Sequence, residues 1–357
     1  MSIERLATHL VSEGLGGFVV QRPENVRYLS GYTGEDSVLL VLRDRCLFVT
    51  DPRYTEQAAQ ECPDLEILNW RDEAMSLPGA LASYAKKAGV SSVAFEADYM
   101  TFRAHAIMAE AFGEGIRLVP SLGVIEEYRK IKRPDEIERL RISCGIADRA
   151  LARLLDDIRP GRSEKELAAL LALHLVEEGS DTKPYGGILI SGPRTSLLHG
   201  IPSDRKVGKG DFVLIDFGGQ YQGYLADMTR TVVVGRASDE QREVYDYERA
   251  MVEATLAAIK SGAASKEVFA ASTKPIEGTK YFGRHYTGIG HGIGLFVHEL
   301  PFLSPRSEDI LMEDMVMTVE PGIYIPDWGG VRIEDQILVT KEGYVDFTTS
   351  TKDLIEL

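Results

Sequence analysis

Apolar residues recur along this chain in two rhythms. Over residues 3–12 they fall three and four apart among charges, the spacing of one helix face. Short apolar runs at 17–21, 37–42 and 45–50 predict strands, the last two joined as a hairpin across Arg43-Asp44, while RPEN at 22–25 reads as a turn. Helical spacing returns near 53–61 and 75–88, with strands at 65–69 and 92–96. The alternation predicts a small α/β unit, and no cluster of metal-type ligands is visible in it.

Between 125 and 158 the pattern becomes strongly helical. Pro134 followed by Asp135 and Glu136 suits a helix start, because proline fits the first turn and acids favour the N-terminal dipole. Arg159-Pro160-Gly161 stops that helix, and Ser163 with Glu166 forms a capping box for another running to Glu178. The domain boundary is placed at 124, before the charged linker EEYRKIKRPDE. From 186 onward strands dominate, with a helix near 239–260. The segment KEVFAASTKPIEGTK begins helical and is broken by Pro275 and Gly278.

The pattern is violated in informative places. Asp216 sits inside DFVLIDF, a run apolar enough to be buried, where a lone carboxylate is costly unless paired or metal-bound. Asp227 lies eleven residues on in LADMTRT. A hairpin with a loop at 220–223 would set 216 opposite 227 on one face, and two like charges there call for a cation. Glu320 ends MVMTV before Pro321-Gly322. In VRIEDQ, period-2 alternation puts Arg332, Glu334 and Gln336 on one face and Asp335 on the other. Glu320 and Glu334 bracket a second hairpin, IYIPDWGGV. His291, in GIGHGIG, has glycines that let backbone pack close to a site. Taken singly, Asp227 could be a turn residue, Glu334 a solvated face and His291 a core histidine. For His298 and His199 the local sequence leaves a structural and a functional role equally open.

Bulk properties narrow the chemistry. With 357 residues the chain exceeds one ordinary core, so two domains are expected. A formal net charge of −15 argues against nucleic acid or an anionic membrane as partner. Cys46, Cys62 and Cys144 form no CxxC pair, which suits a reducing cytoplasm and removes thiolate zinc sites. The N-terminus lacks a signal-peptide core, and no apolar run is long enough to span a bilayer. Four carboxylates with one imidazole suit Mn²⁺, Co²⁺ or Zn²⁺ in a hydrolytic centre. Five side chains exceed one tetrahedral ion; two ions roughly 3.5–4 Å apart would use them all.

The words LIDFGG, ADMTRTVVV, GHGIGLFVHELP, TVEPGIY and GVRIEDQ, in this order, resemble the metallopeptidase family that includes methionine aminopeptidase, aminopeptidase P and prolidase. NVRYLSGYTG and TDPRY resemble the extra N-terminal domain of the prolidase and aminopeptidase P branch. The resemblance implies an α+β fold: a smaller α/β creatinase-like domain over 1–124, then a pita-bread catalytic domain over 125–357. It implies two divalent ions, manganese foremost, with Asp227 and Glu334 bridging, Asp216 on one ion, and His291 with Glu320 on the other. His298 and His199 match its substrate-side histidines, Tyr324 and Arg332 its substrate-binding tyrosine and arginine, and Glu320 its proton shuttle. The implied activity is hydrolysis of an N-terminal Xaa-Pro bond in short proline-containing peptides by a homodimer. The reading leans to an Xaa-Pro dipeptidase, with aminopeptidase P as the alternative and a non-catalytic peptide-binding relative as the rival. Departures from the family are TKPYGGILISG, Phe296 where a glutamate is common, and Pro275; none touches a proposed ligand.

Overall fold

A computed structural model describes residues 2–74, 76–181 and 187–357. Most of the divergent TKPYGG segment, residues 182–186, lies outside the described residues, as does residue 75 at the start of one expected helix. The chain divides into two compact units, Met1–Arg129 and Lys130–Leu357. Both mix helix and sheet, as the α+β expectation requires.

In the first unit, β1 (Gly17–Val20), β2 (Ser37–Leu42), β3 (Cys46–Thr50), β4 (Glu66–Asn69), β5 (Ser92–Glu96) and β6 (Arg117–Ser121) form one sheet in the order β4-β3-β2-β1-β5-β6. β2 runs antiparallel to both neighbours, and the remaining pairs are parallel. The hairpin across 43–44 is present: Val41 pairs with Cys46, and the Leu42 N–H reaches the Arg45 carbonyl at 2.8 Å. Val19, Leu40, Val49 and Val93 pack beneath Leu81, Ala85, Met108 and Phe112 as a continuous core.

One expectation fails here because of a partner distant in sequence. RPEN is no turn, since Pro23–Ser30 is a helix. Glu96 caps it, its Oε2 accepting the Gln21 and Arg22 amides at 2.6 and 2.8 Å. The boundary read at 124 falls at the start of the helix Val124–Arg129, which belongs to the first unit. Asn25 ties it there, donating to Glu126 at 2.6 Å and accepting from Arg129 at 2.7 Å.

The second unit opens with the helices Pro134–Asp157 and Glu164–Glu177. The Ser163 capping box forms in both directions, the Glu166 N–H donating to Ser163 Oγ and the Ser163 N–H to Glu166 Oε2. Further on, Ser265–Thr273 is helical and tightens into a 3₁₀ turn at Lys274–Ile276, where Pro275 removes a backbone donor. The strands are β7 (Ile188–Ser191), β8 (Phe212–Phe217), β9 (Gln220–Tyr221), β10 (Tyr224–Leu225), β11 (Met228–Val233), β12 (His291–Gly292), β13 (Glu299–Phe302), β14 (Val316–Val319), β15 (Gly322–Ile325), β16 (Gly329–Arg332), β17 (Asp335–Val339) and β18 (Tyr344–Asp346). They pair antiparallel in sheets of order β11-β8-β7 and β13-β12-β14-β17-β18, with short ribbons β9-β10 and β15-β16.

A bridge between Thr229 and Glu334 links the two sheets. The helix Asp239–Ala258 lays Val244, Tyr245, Met251 and Val252 against Phe212, Val233, Ile323, Val331 and Ile333. Each such side chain contributes about 1.5–3 kcal/mol on burial. Val331 and Ile333 turn to this helix, so alternation turns Arg332 and Glu334 the other way, toward Asp216 and Thr229. No helix among the described residues is long and apolar enough to cross a membrane.

Candidate metal centre

Asp216 and Asp227 come from one ribbon whose register differs from the expected one. The turn is only Gln222-Gly223, with φ of 48° and 83°, the left-handed pair that a two-residue hairpin turn demands. Tyr221 therefore faces Tyr224, and the same register sets Asp216 opposite Thr229 instead of Asp227. A four-residue loop had been expected, and the shortening shifts the partner by two. A shift of two conserves the face, so both aspartates still point the same way. Gly218 lies opposite Asp227; a Cβ there would stand 1.6 Å from the Ala226 carbonyl oxygen, which only glycine avoids.

Glu320 and Glu334 come from a second ribbon. Val319 pairs with Asp335 and Gly322 with Arg332, one register running through the Pro321 interruption, which places Glu320 opposite Glu334. Alternation holds as expected. Arg332, Glu334 and Gln336 turn toward the centre, while Asp335 turns away to Arg230 and Lys352, each at 2.8 Å.

His291 is held by the close backbone approach its glycines permit. A Cβ on Gly292 would stand 2.0 Å from the Leu300 carbonyl oxygen. The His291 amide donates to Thr318 Oγ1 at 3.1 Å, and ring Nδ1 lies 3.0 Å from the Gly292 carbonyl. A carbonyl only accepts, so Nδ1 carries the hydrogen, leaving Nε2 toward Glu320 Oε1 (3.2 Å) and Asp227 Oδ2 (3.7 Å).

Of the five expected ligands, Asp227, His291 and Glu334 bring donor atoms within 4.8 Å of one another. Glu320 joins them through His291. Asp216 is turned to Arg332, pairing with its Nη2. Arg332 also donates Nη1 to the Tyr324 hydroxyl (2.9 Å) and Nε to Thr229 Oγ1 (3.0 Å), so both residues enter the centre through Asp216. His298 is exposed and stands edge-on to His291, ring centroids 4.5 Å apart. His199 is also exposed; partial burial, then His291 and last His199 hold the His298 imidazole below its usual pKa.

The donor set fits divalent cations. Asp227 Oδ1 and Glu334 Oε1 are buried without a hydrogen-bond partner among the described residues. Burial, and then neighbouring carboxylate charge, raises Asp227 and Glu334 well above the usual carboxylate range. Asp216 is raised by burial against the pull of Arg332. For Glu320, burial pushes the pKa up, but the hydrogen bond and charge of His291, the Arg332 charge and the Thr318 bond together bring it down. Burial lowers His291, yet the bond and charge of Glu320, the Asp227 charge and the Gly292 carbonyl together carry it up to about 9. Lone buried oxygens and displaced protons mark a place built for positive charge.

Sequence reasoning missed the residues that hold the ligands. Thr229, fully buried, donates to Glu334 Oε2 at 2.6 Å. Gln336 Oε1 accepts the Asp227 amide at 3.1 Å, and Thr318 Oγ1 donates to Glu320 Oε1 at 3.1 Å. The available signal was a threonine two positions from Asp227 on the same face of an apolar strand.

Comparison with known proteins agrees with this geometry. Residues 138–341 match Metallopeptidase family M24, and residues 3–131 match the Creatinase/Prolidase N-terminal domain. The chain is 38% identical over 357 residues to the uncharacterized peptidase YqhT of Bacillus subtilis (strain 168), covering 100% of both chains. Among solved structures, an Xaa-Pro dipeptidase from Bacillus anthracis is 37% identical with a TM-score of 0.95, covering 100% of this chain and 99% of that one. An X-Pro aminopeptidase from Thermotoga maritima MSB8 is 32% identical with a TM-score of 0.92, covering 99% of each chain. With a peptidase-family match over the second unit, a creatinase-type match over the first and a buried Asp/His/Glu cluster between two ribbons, the chain belongs to metallopeptidase family M24.

Proposed function

We propose that the chain is an Xaa-Pro dipeptidase using two divalent ions, manganese foremost and cobalt or zinc as substitutes. The observation that carries this reading is the Asp227, His291 and Glu334 cluster with its two unpartnered oxygens, flanked by Glu320 and Asp216. Asp227 and Glu334 would hold both ions, Asp216 would hold one, and His291 with Glu320 would hold the other. Bound ions of this kind polarise a carbonyl and acidify water. Glu320, partly buried and hydrogen-bonded to Thr318 and His291, would move a proton between water and leaving group. His298, edge-on to His291, and His199 are both exposed and would steady the developing oxyanion and the scissile carbonyl.

Tyr324 and Arg332 were expected to bind substrate. Arg332 spends its donors on Asp216, Tyr324 and Thr229, so holding Asp216 is the better-supported role for the pair. A proline imide has no N–H, so the pocket must read ring shape. The dipeptidase reading draws on the Bacillus anthracis dipeptidase, the aminopeptidase P alternative on the Thermotoga maritima neighbour. The reading includes a homodimer in a reducing cytoplasm, in keeping with three buried free cysteines; light scattering measures the assembly.

Turnover of Ala-Pro, Ala-Pro-Ala-Ala and Ala-Ala by the manganese-loaded chain tests the proposal. Preference for Ala-Pro is expected. Faster cleavage of the tetrapeptide moves the assignment to aminopeptidase P, and cleavage of neither proline peptide sinks the reading.

A further inference from the structure

The loop from Ser191 to Ser203 carries His199, and one buried carboxylate distant in sequence grips both its ends. Glu164, first residue of the helix Glu164–Glu177, is fully buried. Its Oε1 accepts the Ser191 amide at 2.8 Å and the Ser191 hydroxyl at 2.9 Å. Its Oε2 accepts the Ser203 amide at 2.9 Å, the Ser203 hydroxyl at 2.7 Å and Arg194 Nε at 3.2 Å. Arg194 then reaches across the loop, donating Nη2 to the Ile201 carbonyl at 2.7 Å. A second anchor lies beside the centre, where the Gly330 amide donates to Thr195 Oγ1 at 2.8 Å and Gly330 faces Tyr324.

The loop tip differs from its ends. Leu197, His199 and Ile201 are exposed. Backbone bonds at the tip, Leu197 to Arg194 and Gly200 to Leu197, run within the loop itself. Gly200 packs on Ile190 of β7, and the exposed side chains of the tip otherwise take their position from the loop's anchors. A carboxylate accepts on both oxygens and suits five converging donors. An amide in its place would turn an NH₂ against either the Ser191 pair or the Ser203 and Arg194 set.

We propose that Glu164 is a positioning residue for the peptidase reaction, clasping the 191–203 loop so that His199 is held at the centre. The inference rests on the proposed function, in which His199 faces substrate.

A double-mutant cycle on the full-length, manganese-loaded chain tests it, with Ala-Pro as substrate. Glu164→Gln is expected to lose roughly 10- to 100-fold in kcat/KM while its manganese content stays at the wild-type ratio. The same substitution in a His199→Ala background is expected to cost less than about 2-fold, because coupled residues are not additive. Equal losses in both backgrounds, loss of manganese, or full activity of Glu164→Gln each overturn the proposal.

If Glu164→Gln fails to fold by circular dichroism, Arg194→Ala enters the same cycle under the same criteria. The His199 ring NMR signal, assigned with His199→Ala in the diamagnetic zinc-loaded chain, reads the clasp without catalysis. It should shift in Glu164→Gln, and an unchanged signal refutes the clasp. A wild-type chain that cleaves no proline peptide would refute the proposed function alone and leave the NMR result to judge Glu164.

Discussion

Replacing Thr229 by valine removes one hydroxyl and little else, and the strand keeps a β-branched residue. That hydroxyl donates to Glu334 Oε2 at 2.6 Å and accepts Arg332 Nε at 3.0 Å in a fully buried position. Both partners are ionisable and dry. A hydrogen bond to a charged group contributes about 1.5–3 kcal/mol. Glu334 Oε1 already lacks a partner, so the substitution leaves that carboxylate without a hydrogen bond on either oxygen. Stability should fall by roughly 2–4 kcal/mol, and loss of a ligand's supporting partner should weaken manganese binding by roughly 10- to 100-fold.

Calorimetric titration of manganese into the metal-free chain measures the second quantity, and urea denaturation the first. Thr231→Val supplies the control. Thr231 lies on the same face of the same strand, but its hydroxyl bonds to the Arg332 backbone, donating to the carbonyl at 3.0 Å and accepting the amide at 3.2 Å. It should lower stability and leave manganese affinity unchanged. If the two variants bind manganese equally well, Thr229 does not hold Glu334 as a ligand and the reasoning fails.

Asp227→Asn should abolish Ala-Pro hydrolysis and weaken manganese binding with an unchanged circular dichroism spectrum; retained activity refutes its bridging role. Arg230 is almost fully buried and donates to Asp335 at 2.8 Å and to the carbonyls of Glu334, Ser350 and Thr351. Arg230→Met breaks this network, although Lys352 still faces Asp335, so a loss of about 3 kcal/mol and roughly 6–12 °C in Tm is expected; a drop under about 3 °C rejects the network as an anchor. Burial raises Glu96 from 4.5 to about 7 despite its bonds to Asn25, Arg22 and Gln21. The folded state therefore holds that proton more tightly, and the stability it contributes is complete below pH 4.5 and lost as pH rises through 7. The change is roughly 3 kcal/mol. Urea denaturation at pH 5 and pH 8 should show this fall in wild type and a smaller one in Glu96→Gln; equal slopes would reject the assignment.

The sequence made strands and faces legible wherever alternation was clean. DFVLIDF, VRIEDQ and the Ser163 capping box each formed as their local pattern requires. Local pattern could not settle register. QYQG holds one glycine and no Asn-Gly, so nothing in it announces a two-residue turn, and Asp216 was paired two positions from its true partner Thr229. Long-range capping was equally invisible, since the helix Pro23–Ser30 owes its N-terminal partner to Glu96. The ligand types could be read because carboxylates in apolar strands are costly. Thr229, Thr318 and Gln336 could not, because uncharged polar residues at such positions raise no comparable penalty.

The bridge between Thr229 and Glu334 has a consequence for how this protein reaches its native state. Each carboxylate pair lies within one contiguous ribbon, Asp216 with Asp227 and Glu320 with Glu334, and hairpins of this kind close in about 1–10 μs. The Thr229–Glu334 hydrogen bond spans 105 positions of chain and must wait for slower, non-local closure. Neither ribbon alone presents the Asp227, His291 and Glu334 cluster; their meeting, with His291 supplied by β12 beside β14, creates it. That meeting brings two pairs of carboxylates together, a repulsion that the pairing of Arg332 with Asp216 offsets in part. Ionic strength and divalent cations should therefore act on the final joining of the ribbons while leaving their individual formation nearly untouched.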